Sequence, residues 1–284
     1  MFTGIVEELG KVVAIEEQPD AVVEFLDATN TGHQNALLVS GQIVKGGWQT
    51  RVINVSVLIA PGDTVAVPVS CVEQGRWNGD RLFRMGGTFA SRRVRREKDA
   101  SVAANMRLFR SRASDQLSVW RSVDGELERL QMHSNTRSLE GIENMLEMDR
   151  YLAESPDEMR AADITQATDR LRELGPLPEQ CGVVVCHGRQ VVSAELFAAP
   201  EMLAAHWDAL VGAFMLDAPA SIPTSRPSAT KALRFLSRLA TTSATLSAGV
   251  SLGTEVHVHT ARMVAQALVA DGTVLHASAF SLAA

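Results

Sequence analysis

The chain has 284 residues, 46% hydrophobic and 21% charged, which is enough to bury a core as one large or two small domains and excludes a long disordered chain. A net charge of −6 excludes a general nucleic-acid binder, because neutralising phosphates needs a basic footprint. Three cysteines, Cys71, Cys181 and Cys186, form neither a disulfide framework nor a Cys/His metal spacing. The opening MFTGIVEELGK is acidic early and has no apolar h-region, and no apolar run reaches the length of a membrane span. These features lead to the expectation of a cytoplasmic protein with no membrane and no bound metal.

Strands are predicted over Ile5–Ile15, Ala21–Leu26, Ala36–Val44, Thr50–Ile59 and Thr64–Cys71, all rich in Val, Ile and Leu. Breakers separate them: Pro19-Asp20, Asn30 to Gly32, Gly46-Gly47 and Pro61-Gly62-Asp63. Such spacing predicts an antiparallel sandwich or barrel-like sheet. From Ser114, an N-cap candidate, Leu117, Trp120, Val123, Leu127 and Leu130 recur at helical spacing. Leu139, Ile142, Leu146 and Leu152 repeat it, Ser155-Pro156-Asp157 interrupts, and a further helix ends near Gly175-Pro176. Strands Gly182–Cys186 and Gln190–Phe197 flank Gly188-Arg189, a hairpin loop with Gly first. A helix over Pro200–Leu216, a linker-like segment Ala218–Ala229, a helix over Thr230–Leu239 and a hairpin at Asp271-Gly272 complete the chain. The predicted fold is α+β, a single domain over 1–284 that is β-rich over 1–90, helical over 98–175 and mixed over 180–284.

Two resemblances emerge. MFTGIVEELGKVVAIE resembles the start of riboflavin synthase, but the likeness stops there. No second copy follows, and that family's Asn-Gly-Val-Cys and Gly-His-Val-Asp stretches are absent. Flavin binding is the weakest functional reading. The stretch Gln49–Trp77, QTRVINVSVLIAPGDTVAVPVSCVEQGRW, closely resembles the core of the ADP-ribosylglycohydrolase- and rhodanese-phosphatase-associated protein domain. Its Gln-x-Arg, Asn-x-Ser-Val-Leu and Pro-Val-Ser-Cys-Val-Glu-x-Gly-Arg-Trp runs are all present. Ser114-Asp115-Gln116 with Val119-Trp120, and Glu195-Leu196-Phe197 with Pro200-Glu201 and Trp207, extend the likeness over most of the chain. Gln42 and Trp48 stand where the family often has an acidic and a basic residue. The resemblance implies an association with NAD and ADP-ribose processing and no particular reaction.

The densest polar cluster is Ser70, Cys71, Glu73, Gln74, Arg76 and Trp77, where a predicted strand ends. An acid, a cation, an amide and an indole suit a nucleotide-like ligand. Arg76 would fork onto a diphosphate, Trp77 would stack on a base, and Glu73 would serve as general base or hold a ribose hydroxyl. The competing account is a strand corner stitched by a Glu–Arg pair. Cys71 would bind ligand or simply pack. Gln49 and Arg51 share strand parity and reach the same pocket or cap a sheet edge. Asp115 and Gln116 open a helix, as a cap or as a catalytic acid–base and a ligand contact. Catalytic candidates are therefore Glu73 and Asp115, and binding candidates are Gln49, Arg51, Cys71, Gln74, Arg76, Trp77 and Gln116.

His257 and His259 share a face with Glu255, but a two-residue loop at Asp271-Gly272 sets His276 opposite Ala267, roughly 26 Å along the strand from His259 at 3.3 Å per residue. No zinc site is expected, and the face is read as solvated. The run Arg92, Arg93, Arg95, Arg96 and Lys98 is read as a solvated loop or helix start, or as a device that steers an anionic ligand. Two functional readings stand together: a protein acting on an NAD- or ADP-ribose-derived small molecule, and a non-catalytic module recognising such a ligand or a partner protein.

Overall fold

The computed structural model describes residues 12–17, 24–76, 82–130, 134–138, 166–217 and 225–282. Outside them lie the opening motif up to residue 11, Trp77, the predicted helix over 139–152 with its Ser155-Pro156-Asp157 break, and part of the 218–229 linker. The fold is α+β. Strands β1 (Val12–Glu17), β2 (Phe25–Asn30), β7 (Thr64–Cys71), β5 (Arg51–Ile53), β4 (Gln42–Gly46) and β8 (Leu82–Phe89) pair in that order. Pairing of Ile15 with Phe83 and of Glu16 with Leu82 closes them into an antiparallel barrel. Leu26, Val44, Ile53, Val67, Val69 and Phe83 fill it.

Two predicted strands are each broken in the middle. Ala36–Val44 becomes β3 (Ala36–Leu38) and β4, and Thr50–Ile59 becomes β5 and β6 (Val57–Ile59). Both breaks fall at the same level, so β3 and β6 leave the barrel together as a two-stranded ribbon. Gly41 makes the first break, with φ +88°, and a Cβ there would come within 2.3 Å of Arg95 Nε. Ser40, Asn54 and Ser56 sit at the breaks and turn their polar groups toward the rest of the molecule.

The second layer is an antiparallel six-stranded sheet: β11 (Thr245–Ala248), β12 (Thr254–His259), β13 (Met263–Ala270), β14 (Thr273–Ser281), β10 (Gln190–Phe197) and β9 (Gly182–His187), in that order. Its hairpins follow the predicted turns. Gly188 takes φ +58° while His187 pairs with Gln190. Asp271 and Gly272 both take positive φ, and Ala270 pairs with Thr273. A bulge at Leu268/Val269 then shifts the register by one, so His276 faces Leu268 rather than Ala267.

Helix α1 (Arg92–Phe109) lies between barrel and sheet, and α2 (Gln116–Arg129) packs on α1 and β7. Helix α3 (Pro200–Leu216) opens with Pro in its first turn and covers β8 and β10. Helix α4 (Ala229–Thr241) lies on β10. The buried stripe of α2 is Val119, Val123, Glu126 and Leu127. The N-cap is Asp115 and not Ser114, so the helix starts at Gln116 and Leu117, expected on that stripe, is exposed. One hydrophobic cluster joins Leu37 and Leu58 of the ribbon, Phe197 and Leu268 of the sheet, and Leu203 and Leu210 of α3. No described helix is long and apolar enough to cross a membrane.

Candidate functional site

The motif residues come together at the end of β7. Glu73 is buried and receives four hydrogen bonds, from Thr50 N and Oγ1 at 2.9 Å each and from Arg76 Nε and Nη2 at 3.0 and 2.8 Å. Arg76 also donates to Gly47 O at 2.8 Å. Burial pushes the Glu73 carboxyl up, but the bonds from Arg76 and Thr50 outweigh it and hold its pKa below the ordinary value. The carboxylate therefore stays ionised and saturated. Residues 134–138 lie across the corner: Glu73 bridges to Ser138, and Gly75 N donates to Thr136 O.

Gln49 and Arg51 share a face as their spacing predicts, with Arg51 Nη1 2.9 Å from Gln49 Oε1. Both are buried. The single Cys71 S–H is shared between Glu73 O at 2.9 Å and Gln49 Oε1 at 3.2 Å. Burial pushes its pKa up, with Arg51 opposing, so the thiol is protonated. The Gln49 Nε2 amide is buried without a hydrogen-bond partner among the described residues. Gln116 grips the Cys71 backbone from α2: its Oε1 accepts from Cys71 N at 2.8 Å and its Nε2 donates to Cys71 O at 2.7 Å. Asp115 is exposed and caps α2, accepting from Leu117 N, Ser118 N and Ser118 Oγ. The Ser118 bonds hold its carboxyl below the usual range. Gln74 is half-buried in the turn. Gln42, at one departure from the family pattern, accepts from Val39 N at 2.8 Å and so braces the β3–β4 turn.

A second polar constellation, larger and not anticipated as a unit, fills the space between barrel and sheet. One row of inward-facing residues crosses four strands: His257, Gln266, Ser278 and Glu195. Helix α1 lays Arg95, Lys98 and Asp99 over it, all buried. Lys98 Nζ lies 2.7 Å from Asp99 Oδ1 and donates to Ser40 Oγ, Ile53 O and Asn54 O. Burial lowers its pKa, with Asp99 opposing. Gln266 Nε2 reaches Ser40 Oγ and Asp99 Oδ1. Glu195 takes Arg95 at 2.6 Å on one oxygen and His276 Nε2 at 3.1 Å on the other, and His276 Nδ1 is 2.9 Å from Ser56 Oγ. Arg95 also lies 5.1 Å from the ring centroids of both Phe89 and Phe280.

This overturns two expectations. Arg95 and Lys98 are not solvated but sit in the interface, because α1 begins at Arg92 and its inner face passes over the sheet. Glu255 and His257 are also buried rather than solvated, with Arg112 2.8 Å from Glu255 and His257 3.0 Å from it, while His259 alone is exposed. Ser56 and Glu195 both lie within motifs legible in the sequence, but their meeting through His276 depends on register and on the two strand breaks. Ser56, His276 and Glu195 are all buried. Among the described residues, no group of three or more His, Cys, Asp or Glu side chains is placed to hold a metal ion.

The other half of the basic run opens to solvent. Arg93, Arg96 and Glu97 of α1 face Ser118, Arg121, Ser122 and Gly125 of α2 across a cleft of about 300 Å³. Arg96 pairs with Glu97 at 3.1 Å, and Arg93 lies within 3.5 Å of Glu126 and 3.3 Å of Asp217. Arg121 makes no ion pair among the described residues and is exposed. Gly125 leaves the cleft floor open, with no atom within 4 Å of where its Cβ would stand.

No curated protein and no solved structure matches the chain at a significant level. Residues 4–280, nearly the whole chain, match the family described as the ARG and Rhodanese-Phosphatase-superfamily-associated Protein domain, and the chain belongs to that family.

Proposed function

We propose that the protein recognises a phosphate-bearing small molecule of the ADP-ribose class, and that the cleft between α1 and α2 holds the phosphate. The observation that carries this is the convergence of Arg93, Arg96 and Arg121 with the Ser118 and Ser122 hydroxyls on one open polar cleft. Guanidinium groups match phosphate oxygens with paired N–H donors, and Arg121, though it feels the charge of Asp115, makes no ion pair among the described residues. The family's association with ADP-ribosylglycohydrolases supplies the ligand class. In this reading Glu73, Arg76, Cys71 and Gln116 are the rigid support that fixes the start of α2.

Calorimetry with ADP-ribose, ADP and inorganic phosphate tests the reading. Arg96→Ala and Arg121→Ala should each weaken ADP-ribose by roughly 1.5–3 kcal/mol, the range for hydrogen bonds to charged groups. Arg121→Lys should recover only part of that loss, and affinity should fall with added salt. Absence of binding by every phosphate-bearing compound, or unchanged affinity in both alanine variants, would sink it.

One observation favours a second reading, in which the corner of Gln49, Arg51, Cys71, Glu73, Gln74 and Arg76 takes the ligand. The buried Gln49 amide nitrogen has no partner among the described residues, and a ligand carbonyl or hydroxyl would satisfy it. Loss of ADP-ribose binding in Gln49→Leu, with retention in Arg121→Ala, would select this reading over the first.

A further inference from the structure

The outer face of the six-stranded sheet, opposite the polar row, is covered by α4. The helix turns Ala232, Phe235, Leu236 and Leu239 toward it at helical spacing, yet none of its residues is buried. The reason is a cavity of about 580 Å³ between α4 and strands β10, β12, β13 and β14. Small side chains carve it. Ala240 and Ala244 line it from the helix end, and Ala265, Ala267 and Ala277 from the strands, where leucines would have filled the space.

Among the described residues the lining carries no charge. Its polar side chains among the described residues are Thr242 and Gln266, and the Gln266 amide is engaged with Ser40 and Asp99 on the opposite face. The volume falls within the roughly 300–1,000 Å³ of sites that hold drug-sized ligands. The helix that forms the wall is basic on its outer side. Lys231, Arg234 and Arg238 are exposed, no acid occurs in Ala229–Thr241, and none of the three makes an ion pair among the described residues.

We propose that this cavity binds a single-chain amphiphile with an anionic head, a long-chain carboxylate, with its hydrocarbon over the alanines and its head toward the α4 cations. The interior selects an uncharged chain by apolar burial. The helix selects the sign of the head.

The test uses the full chain and cis-parinaric acid, a fluorescent long-chain carboxylate. Saturable fluorescence enhancement is expected. Ala267→Trp, which fills the cavity, should weaken it at least tenfold. Lys231→Glu/Arg234→Glu/Arg238→Glu, on the exposed side, should weaken the carboxylate several-fold and leave an uncharged long-chain alcohol unaffected. Should circular dichroism show that Ala267→Trp does not fold, Ala277→Val serves as the milder filling variant. Lack of saturable uptake, or equal uptake by a folded filled variant, overturns the proposal. Sedimentation with anionic phospholipid vesicles without uptake of the monomeric acid also overturns it and assigns α4 to a membrane surface. A ligand-free dimer by light scattering that Ala267→Trp abolishes overturns it in favour of a second copy as occupant.

Discussion

Glu73 shows how burial and hydrogen bonding divide the fate of one carboxyl group. Desolvation alone would neutralise it, yet the donors of Thr50 and Arg76 keep it charged. A folded-state pKa below the unfolded value means that Glu73 contributes stability in full above about pH 4.3, its ordinary value, and loses it as pH falls through the lower folded value. In Glu73→Gln the acid limb of a stability–pH profile should flatten at low pH. Stability at neutral pH should drop toward the low end of the roughly 3–5 kcal/mol for breaking a buried pair, since the Arg76 side chain remains 25% exposed. Urea titrations from pH 3 to 7 would check both, and an acid limb identical to the parent's would refute the assignment. In a double-mutant cycle, Glu73→Gln with Arg76→Ala should be milder than the sum of the singles, with a coupling of about 0.5–3 kcal/mol.

Helix α2 joins the stitched corner to the open cleft, and its own sequence explains how. Asp115 satisfies the first N–H groups, Gln116 splices the helix to β7, and Val119 and Val123 seat it on the core. Asp115→Ala should cost about 0.5–2 kcal/mol through the lost cap, while Asp115→Asn, which preserves a capping oxygen, should cost little. Equal losses in the two thermal melts would show that the charge, not the cap, matters. Gly125 is a mid-helix glycine in open space. Gly125→Ala should therefore stabilise by roughly 0.5–1 kcal/mol. A larger side chain there, as in Gly125→Phe, should narrow the cleft and weaken ADP-ribose without lowering the melting temperature.

Barrel and sheet are joined by ionised and hydrogen-bonded groups as well as by apolar packing, so the whole molecule should be sensitive to the loss of a single partner at that interface. Lys98→Met leaves Asp99 buried without its cation and should destabilise by roughly 3–5 kcal/mol. Adding Asp99→Leu should recover much of that loss. Recovery absent from chemical denaturation would mean that the two residues are not coupled. His206 adds an acid limit. It is buried, stacked on Phe197 at 5.2 Å, and burial holds its pKa below the usual value, against the Met202 carbonyl. The unfolded chain takes up the proton first. Its contribution is therefore full above about pH 6.5 and is lost as pH falls through the folded value. His206→Phe should reduce the pH dependence of stability between pH 7 and 5.

By itself the sequence determined the local structure: hairpins at Gly188-Arg189 and Asp271-Gly272, the helix opening at Pro200 and the shared face of Gln49 and Arg51. Each depends on neighbours within a few residues, where φ preferences and side-chain period act directly. The motif from Gln49 to Trp77 also disclosed the family. Only the tertiary structure decided what the charged residues do. The Arg92–Lys98 run reads as one solvated stretch, but helical periodicity sends Arg95 and Lys98 inward and leaves Arg93 and Arg96 at the cleft. The strand breaks at Ser40 and Ser56 are marked in the sequence only by Gly41 and Asn54 amid Val, Ile and Leu, and Arg95 and Lys98, arriving from elsewhere in the chain, pack and bond there. A single bulge after Leu268 moved His276 into register with Leu268, beside Glu195 and Ser56. Such meetings between distant residues are set by packing and register, which no local pattern encodes.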